Sequence, residues 1–104
     1  MTYQSVFTAL SDPTRREIFE MLAKQPSPVQ LLADRLPVSR PAVSQHLKVL
    51  SDAGLVTVRA MGTRRIYAAS PKALEELRGW LDRLWGDVLG AFSEAAEKEK
   101  KIEH

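Results

Sequence analysis

The residues best equipped for chemistry lie in one twelve-residue run, SRPAVSQHLKVL, from Ser39 to Leu50. Arg40, Ser44, Gln45 and Lys48 supply guanidinium, hydroxyl, carboxamide and ammonium groups, and no acid follows until Asp52. Such groups donate and accept hydrogen bonds but break no covalent bonds, so the chemistry they suit is recognition. A forked guanidinium or amide pairs bidentately with a guanine or adenine edge, and short hydroxyls and cations hold phosphate oxygens. Val43, Leu47 and Leu50 recur at i, i+4 and i+7, the stripe of an amphipathic helix, which puts the polar set on the opposite face. A solvated helix face ordinarily mixes Glu and Lys in pairs. A face free of acid suits a polyanion instead.

Other chemistries are excluded by what is missing. With no cysteine there is no disulfide framework, thiolate metal site or thiol nucleophile. There are two histidines, no P-loop and no GxGxxG, and the carboxylates fall on exposed helix faces, so neither catalytic residues nor a cofactor are expected. His46 sits beside Ala42 and Val49 at the margin of the apolar stripe, with no second ligand at i±3 or i±4. It reads as a packed histidine holding a backbone or phosphate group, ahead of a base contact, and not as a metal ligand. Because imidazole is the side chain that titrates near neutral pH, His46 is also a source of pH sensitivity.

A net charge of +2 conceals an asymmetry: residues 1–70 hold nine Lys or Arg against five Asp or Glu, and residues 71–104 hold six against eight. A basic part suits a polyanion and a mildly acidic, helical remainder suits a protein partner. The N-terminus lacks a basic segment followed by an apolar run, and nowhere are there eighteen consecutive apolar residues. These features lead us to expect a cytoplasmic protein without signal peptide or membrane span. At 104 residues and 44% apolar, residues 1–104 are expected to form one domain with a modest core.

The elements that must position the polar face are marked by proline and serine. In Asp12-Pro13, Ser27-Pro28 and Ser70-Pro71 a side-chain acceptor precedes a proline at the first helical position. Ser27 followed by Gln30 fits a capping box, and Ser39 caps the opening run. Helices are therefore predicted from Tyr3 to Leu10, Pro13 to Lys24, Pro28 to Arg35 and over 39–53. The last should stop at Gly54, in the left-handed conformation, with Leu55 making the accompanying apolar contact. Leu36, Pro37 and Val38 leave room only for a sharp bend between the third and fourth helices. LVTVRAMGTRRIYAAS then changes to strand-like alternation, a hairpin over 56–68 turning at Met61-Gly62-Thr63, with Arg59, Arg64 and Arg65 near its tip. A lone hairpin is scarcely stable, so it must pack on the helices.

From Pro71 the pattern is helical again, with Leu74, Leu77, Leu81, Leu84, Val88, Ala91 and Ala95 at alternating spacings of three and four. Trp80, Trp85 and Phe92 widen this stripe. The helix is placed at 71–98 and a frayed tail at 99–104. Gly79, Gly86 and Gly90 weaken it, each by about 1 kcal/mol relative to Ala, and permit close helix approach or mark a kink.

Two helices joined by a tight turn and followed by a basic hairpin are the parts of a winged helix-turn-helix, a mostly α fold with a small hairpin in the order α-α-α-α-β-β-α. Its second helix enters the major groove. The DNA-binding candidates are Ser39, Arg40, Pro41, Ser44, Gln45, His46 and Lys48 from the helix, and Arg59, Arg64 and Arg65 from the hairpin. Arg15 and Arg16 stand equally between phosphate contact and a structural role. ALSDPTRREIFEML, VSRPAVSQHLKVLSDAGLV and VRAMGTRRIYAAS, over roughly residues 5–70, resemble the ArsR/SmtB family of bacterial winged-helix transcriptional repressors. The resemblance implies a homodimer, joined through its first and last helices, that binds double-stranded DNA at a near-palindromic, inverted-repeat operator. Phe7 and Leu10, then Leu74, Leu77, Leu81, Leu84, Trp85, Val88 and Phe92, are the interface candidates on that view. The family's metal sensors carry cysteines in the third helix or Asp and His along the last. Here the third helix is PVQLLADR, and the last has Asp82 and Asp87 but no histidine before His104. Metal sensing is not carried over, and the effector is unassigned. The alternative function is a winged-helix module that docks on another protein.

Overall fold

The computed structural model describes residues 3–102, with side chains as far as residue 99. It contains α1 (Tyr3–Ser11), α2 (Pro13–Lys24), α3 (Val29–Arg35), α4 (Arg40–Asp52), β1 (Val56–Met61), β2 (Arg64–Ala69) and α5 (Pro71–Ile102). The order is the expected α-α-α-α-β-β-α. The chain divides into two compact units, Met1–Ala73 and Leu74–His104.

In the first unit, local chemistry starts and stops the helices much as the spacing predicts. The Asp12 carboxylate accepts the Arg15 N–H at 2.8 Å ahead of Pro13, and Ser39 Oγ accepts the Ala42 N–H at 3.3 Å ahead of α4. Each satisfies a helix-start donor that has no partner within the helix. At the far end of α4, Gly54 lies at φ 78°. Its N–H donates to the Ser51 carbonyl and the Leu55 N–H reaches back to the Leu50 carbonyl, each at 3.0 Å. That bond pair closes the helix, and Leu50 and Leu55, both without exposed surface, supply the apolar contact that goes with it.

The start of α3 departs from expectation. The helix begins at Val29 with Pro28 as its cap residue and no side-chain cap bond, so Ser27 and Gln30 form no capping box. Ser27 Oγ donates to the Gln25 carbonyl and the Gln30 amide donates to Asp34. The reason lies elsewhere in the chain: the Ser27 N–H and C=O both pair with Tyr67, each bond 2.9 Å long, in an antiparallel bridge on the outer edge of β2. The Gln25 N–H is already given to the Met21 carbonyl at the end of α2 and the chain turns into α3 at Val29, so the pairing ends after one residue. This bridge fastens the hairpin to the α2–α3 connection and covers part of an open strand edge.

Ile18 and Leu22 from α2, Leu32 from α3, Val43, Leu47 and Leu50 from α4, and Leu55 meet in the core, none more than 2% exposed. Val6 and Ala9 bury the inner side of α1. Tyr3 and Phe7 on its other side are exposed, and Leu10 is half-buried.

The second unit is the continuation of α5. The helix is unbroken through Gly79, Gly86 and Gly90 and extends past residue 98 to Ile102; Glu103 and His104 of the expected tail lie outside the described residues. A Cβ at Gly86 or Gly90 would meet open space. Leu74, Leu81, Leu84, Trp85, Val88, Leu89 and Phe92 are exposed in the single chain, Trp85 at 65% and Phe92 at 72%, while Leu77 is half-buried. Among the described residues no helix is long and apolar enough to cross a membrane.

Gly54→Ala forces a Cβ into the left-handed conformation that closes α4. It is expected to lower the unfolding free energy by about 1–2 kcal/mol, read as a lower urea midpoint at unchanged slope.

Candidate nucleic-acid interface

Burial of Val43, Leu47 and Leu50 turns the rest of α4 outward. Arg40, Pro41, Ser44, Gln45 and Lys48 are all exposed, as is Ser39 at the helix cap. At 100° per residue these side chains spread across one broad face. No carboxylate interrupts it before Asp52, in the last turn. The hydroxyl of Ser39 is already committed to the Ala42 N–H.

The hairpin presents its cations unevenly. Val56 pairs with Ala69 and Met61 with Arg64, leaving a two-residue turn of Gly62 and Thr63. Gly62 has φ 64° and, among the described residues, no non-glycine residue has positive φ, the pattern of a turn with glycine at its first central position. Because side chains alternate along a strand, Arg59 and Arg64 share one face with Ile66, while Arg65 shares the other with Val58 and Tyr67. A cleft of about 310 Å³ is lined by Arg40, Arg64 and Arg65 together with Gln30, Thr63 and Tyr67 among others. The start of α4 and the tip of the hairpin therefore converge on one basic cleft. Arg59 is not part of it: it lines a separate hollow with Pro26, Thr57, Ile66 and Ala68, and its Nη2 lies 3.9 Å from Met61 Sδ. Gln30, Thr63 and Tyr67 escaped the sequence reading. Gln30 looked like a cap, and nothing local joins α3 to a turn more than thirty residues away.

Arg15, Arg16 and His46 turn to neighbouring helices, Arg15 and His46 half-buried and Arg16 exposed. Arg15 Nε donates to the Ala9 carbonyl at 2.6 Å and Nη2 to the Thr8 carbonyl at 3.3 Å, while Arg16 Nη1 donates to the Leu10 carbonyl at 3.1 Å. Both arginines thus cap the carbonyl end of α1, which has no basic residue of its own. His46 is half-buried on the flank of α4, its Nδ1 3.4 Å from Arg15 Nη1. The backbone N–H of Arg15 holds the Asp12 carboxyl below its usual range against the opposing effect of burial, helped by the nearby charges of His46 and Arg15 and by the Thr14 N–H. Among the described residues no three His, Asp or Glu side chains converge as metal ligands.

Comparison with known proteins adds the family context. Residues 10–59 match a helix-turn-helix domain family. The chain is 50% identical over 101 residues to the HTH-type transcriptional regulator Rv2034 of Mycobacterium tuberculosis, covering 94% of each chain. It is 30% identical over 77 residues to the transcriptional repressor SdpR of Bacillus subtilis, covering 74% of this chain and 86% of that one. Among solved structures, an ArsR-like transcriptional regulator from Rhodococcus sp. RHA1 superimposes with a TM-score of 0.77 at 38% identity, over 89% of this chain and 91% of that one. A homodimeric winged helix-turn-helix DNA-binding domain from Mycobacterium bovis gives 0.66 at 26% identity, over 83% and 80%.

Asp12 generates an acid-stability prediction. Its pKa is depressed in the folded state, so its contribution is complete above the unfolded value of about 3.9 and is lost as pH falls through the folded one. Asp12→Asn should melt below wild type at neutral pH, and the two melting curves should converge as pH drops below about 4.

Proposed function

Because the chain belongs to the ArsR/SmtB family of winged helix-turn-helix transcriptional regulators, we propose that it is a homodimeric repressor that reads a near-palindromic operator through the helix 39–53 and the hairpin 56–68. The observation that carries this reading is the convergence of Arg40, Arg64 and Arg65 on one cleft beside the acid-free face of α4. Gln45 pairs with an adenine edge, and Arg40 with guanine or a phosphate. Ser39, Ser44 and Lys48 position the helix on phosphates, and Pro41 offers an apolar edge to a thymine methyl. Arg64 and Arg65, with Arg59 in its separate hollow along the hairpin, hold backbone phosphates flanking the groove. His46 supports the helix from its flank.

Dimerisation is supported by the exposed apolar surface of α5 and by Phe7 and Leu10 of α1. Large exposed aromatics such as Trp85 and Phe92 are unusual on a monomer, and the related Mycobacterium bovis domain is described as homodimeric. A second copy covering this surface sets two α4 helices one duplex turn, about 34–36 Å, apart. In this reading the protein works in the cytoplasm, on the chromosome.

Selection from a random DNA pool should return a two-fold-related sequence, and anisotropy titration on it should show strong salt dependence. With about 6–10 phosphate contacts, affinity falls about 10³–10⁵-fold between 50 and 200 mM salt. No salt-sensitive binding at micromolar protein would leave a protein-docking module instead. Gln45→Ala is expected to cost about 1–3 kcal/mol on the selected site with little change on random DNA, whereas Arg64→Ala weakens both alike. In sedimentation, wild type should run at twice the chain mass and Leu84→Glu at once that mass, with the operator complex lost.

A further inference from the structure

Arg15 joins three elements. Its backbone N–H is tied to Asp12 at 2.8 Å, two of its guanidinium nitrogens hold the carbonyls of Ala9 and Thr8, and the third lies 3.4 Å from His46 Nδ1. Both ends of the residue are thus held, one at the start of α2 and the other at the end of α1. A guanidinium can only donate, so Nδ1 must be the acceptor and the imidazole proton sits on Nε2. His46 adjoins Gln45 in α4 and is separated by about 1.7 turns from Arg40 and by about half a turn from Lys48. Turning α4 about its axis would draw His46 off the guanidinium and move those side chains together.

We infer that Arg15 is a positioning residue for α4, acting through His46 Nδ1 to set the helix's rotation, and that this joint holds only while Nδ1 is unprotonated. A proton on Nδ1 converts the acceptor into a donor and sets two cations side by side, so the bond is lost. The charged groups facing His46 are Arg15 and Asp12, both from the start of α2. The α1 helix contributes no acid or base, and Arg40, Lys48 and Asp52 are the charged residues of its own helix. The consequence for affinity rests on the DNA-binding reading, and its sign is diagnostic. A histidine that merely faced phosphate would strengthen binding when protonated, by adding a cation. The joint weakens binding when protonated, by releasing the reading face.

The test uses the full chain and its selected operator duplex, titrated by anisotropy at pH 8 and pH 5.5 at constant ionic strength. Wild type is expected to bind about tenfold more weakly at pH 5.5, the worth of one charge-assisted hydrogen bond. In His46→Asn, which keeps an acceptor but cannot titrate, the ratio of the two affinities should fall close to one, whatever its affinity at pH 8. Arg15→Met should also lose the pH dependence, with thermal melting to establish that it is folded; if it is not, His46→Asn carries the test. In the free protein, nitrogen NMR should show His46 as the Nε2–H tautomer at pH 8, shifting to a mixture in Arg15→Met. A mixed tautomer in wild type overturns the joint alone. Tighter binding in acid, or the same pH ratio in His46→Asn as in wild type, overturns the positioning role. Failure of wild type to bind DNA at pH 8 overturns the DNA reading and the affinity consequence with it, while the tautomer result stands on its own.

Discussion

Burial of Val43, Leu47 and Leu50 is the constraint from which the reading face follows. Each side chain is at most 1% exposed, and removing such a residue from water contributes about 1.5–3 kcal/mol. A helix with that much invested on one side turns only over a narrow range, within which contacts on its flank set the direction in which the other side is presented. The polar residues of α4 contribute little to stability and depend on the apolar ones for their geometry. Both ends of the helix are held as well, at Ser39 by a hydroxyl and at Gly54 by a left-handed backbone that returns two N–H groups to the helix.

The hairpin has less of a core to rely on. Val56 is buried, but the remaining residues of β1 are exposed. Its position beside α4 depends on backbone pairing with Ser27, confined to a single residue by the helices that end and begin on either side. The same pairing draws the connection before α3 towards β2, so that Gln30, Arg40 and the hairpin tip line one cleft. Polar groups at the α1–α2 corner play a comparable part on the opposite flank of α4. There two arginines satisfy the carbonyl end of one helix, and one of them reaches the next. The reading helix is thus held by apolar burial from beneath and by polar contacts from one side.

The α5 helix presents the converse problem. Its apolar residues are arranged as for packing, yet most of them are exposed in the single chain. The glycines that looked like defects leave open space where a Cβ would stand at Gly86 and Gly90. They interrupt neither the helix nor its stripe.

The sequence by itself determined the elements, because the forces that start, stop and orient a helix or turn act within a few residues. Asp12, Ser39, Gly54 and Gly62 each do in the structure what their type and neighbours imply, and the spacing of Val43, Leu47 and Leu50 separates the buried face from the reading face. At Ser27 a local signal competed with a distant partner, and the distant partner prevailed. A serine hydroxyl suited to a cap was outweighed by a backbone pairing with Tyr67, forty residues further along the chain. Only the tertiary structure decided that Arg59 stands apart from Arg64 and Arg65, because Gln30 and the start of α4 meet the hairpin at its tip and leave Arg59 in another hollow, although strand register sets Arg59 and Arg64 on one face. It also decided that Arg15 serves α1 and His46, since its partners are brought to it by the packing of three helices and no local spacing encodes them.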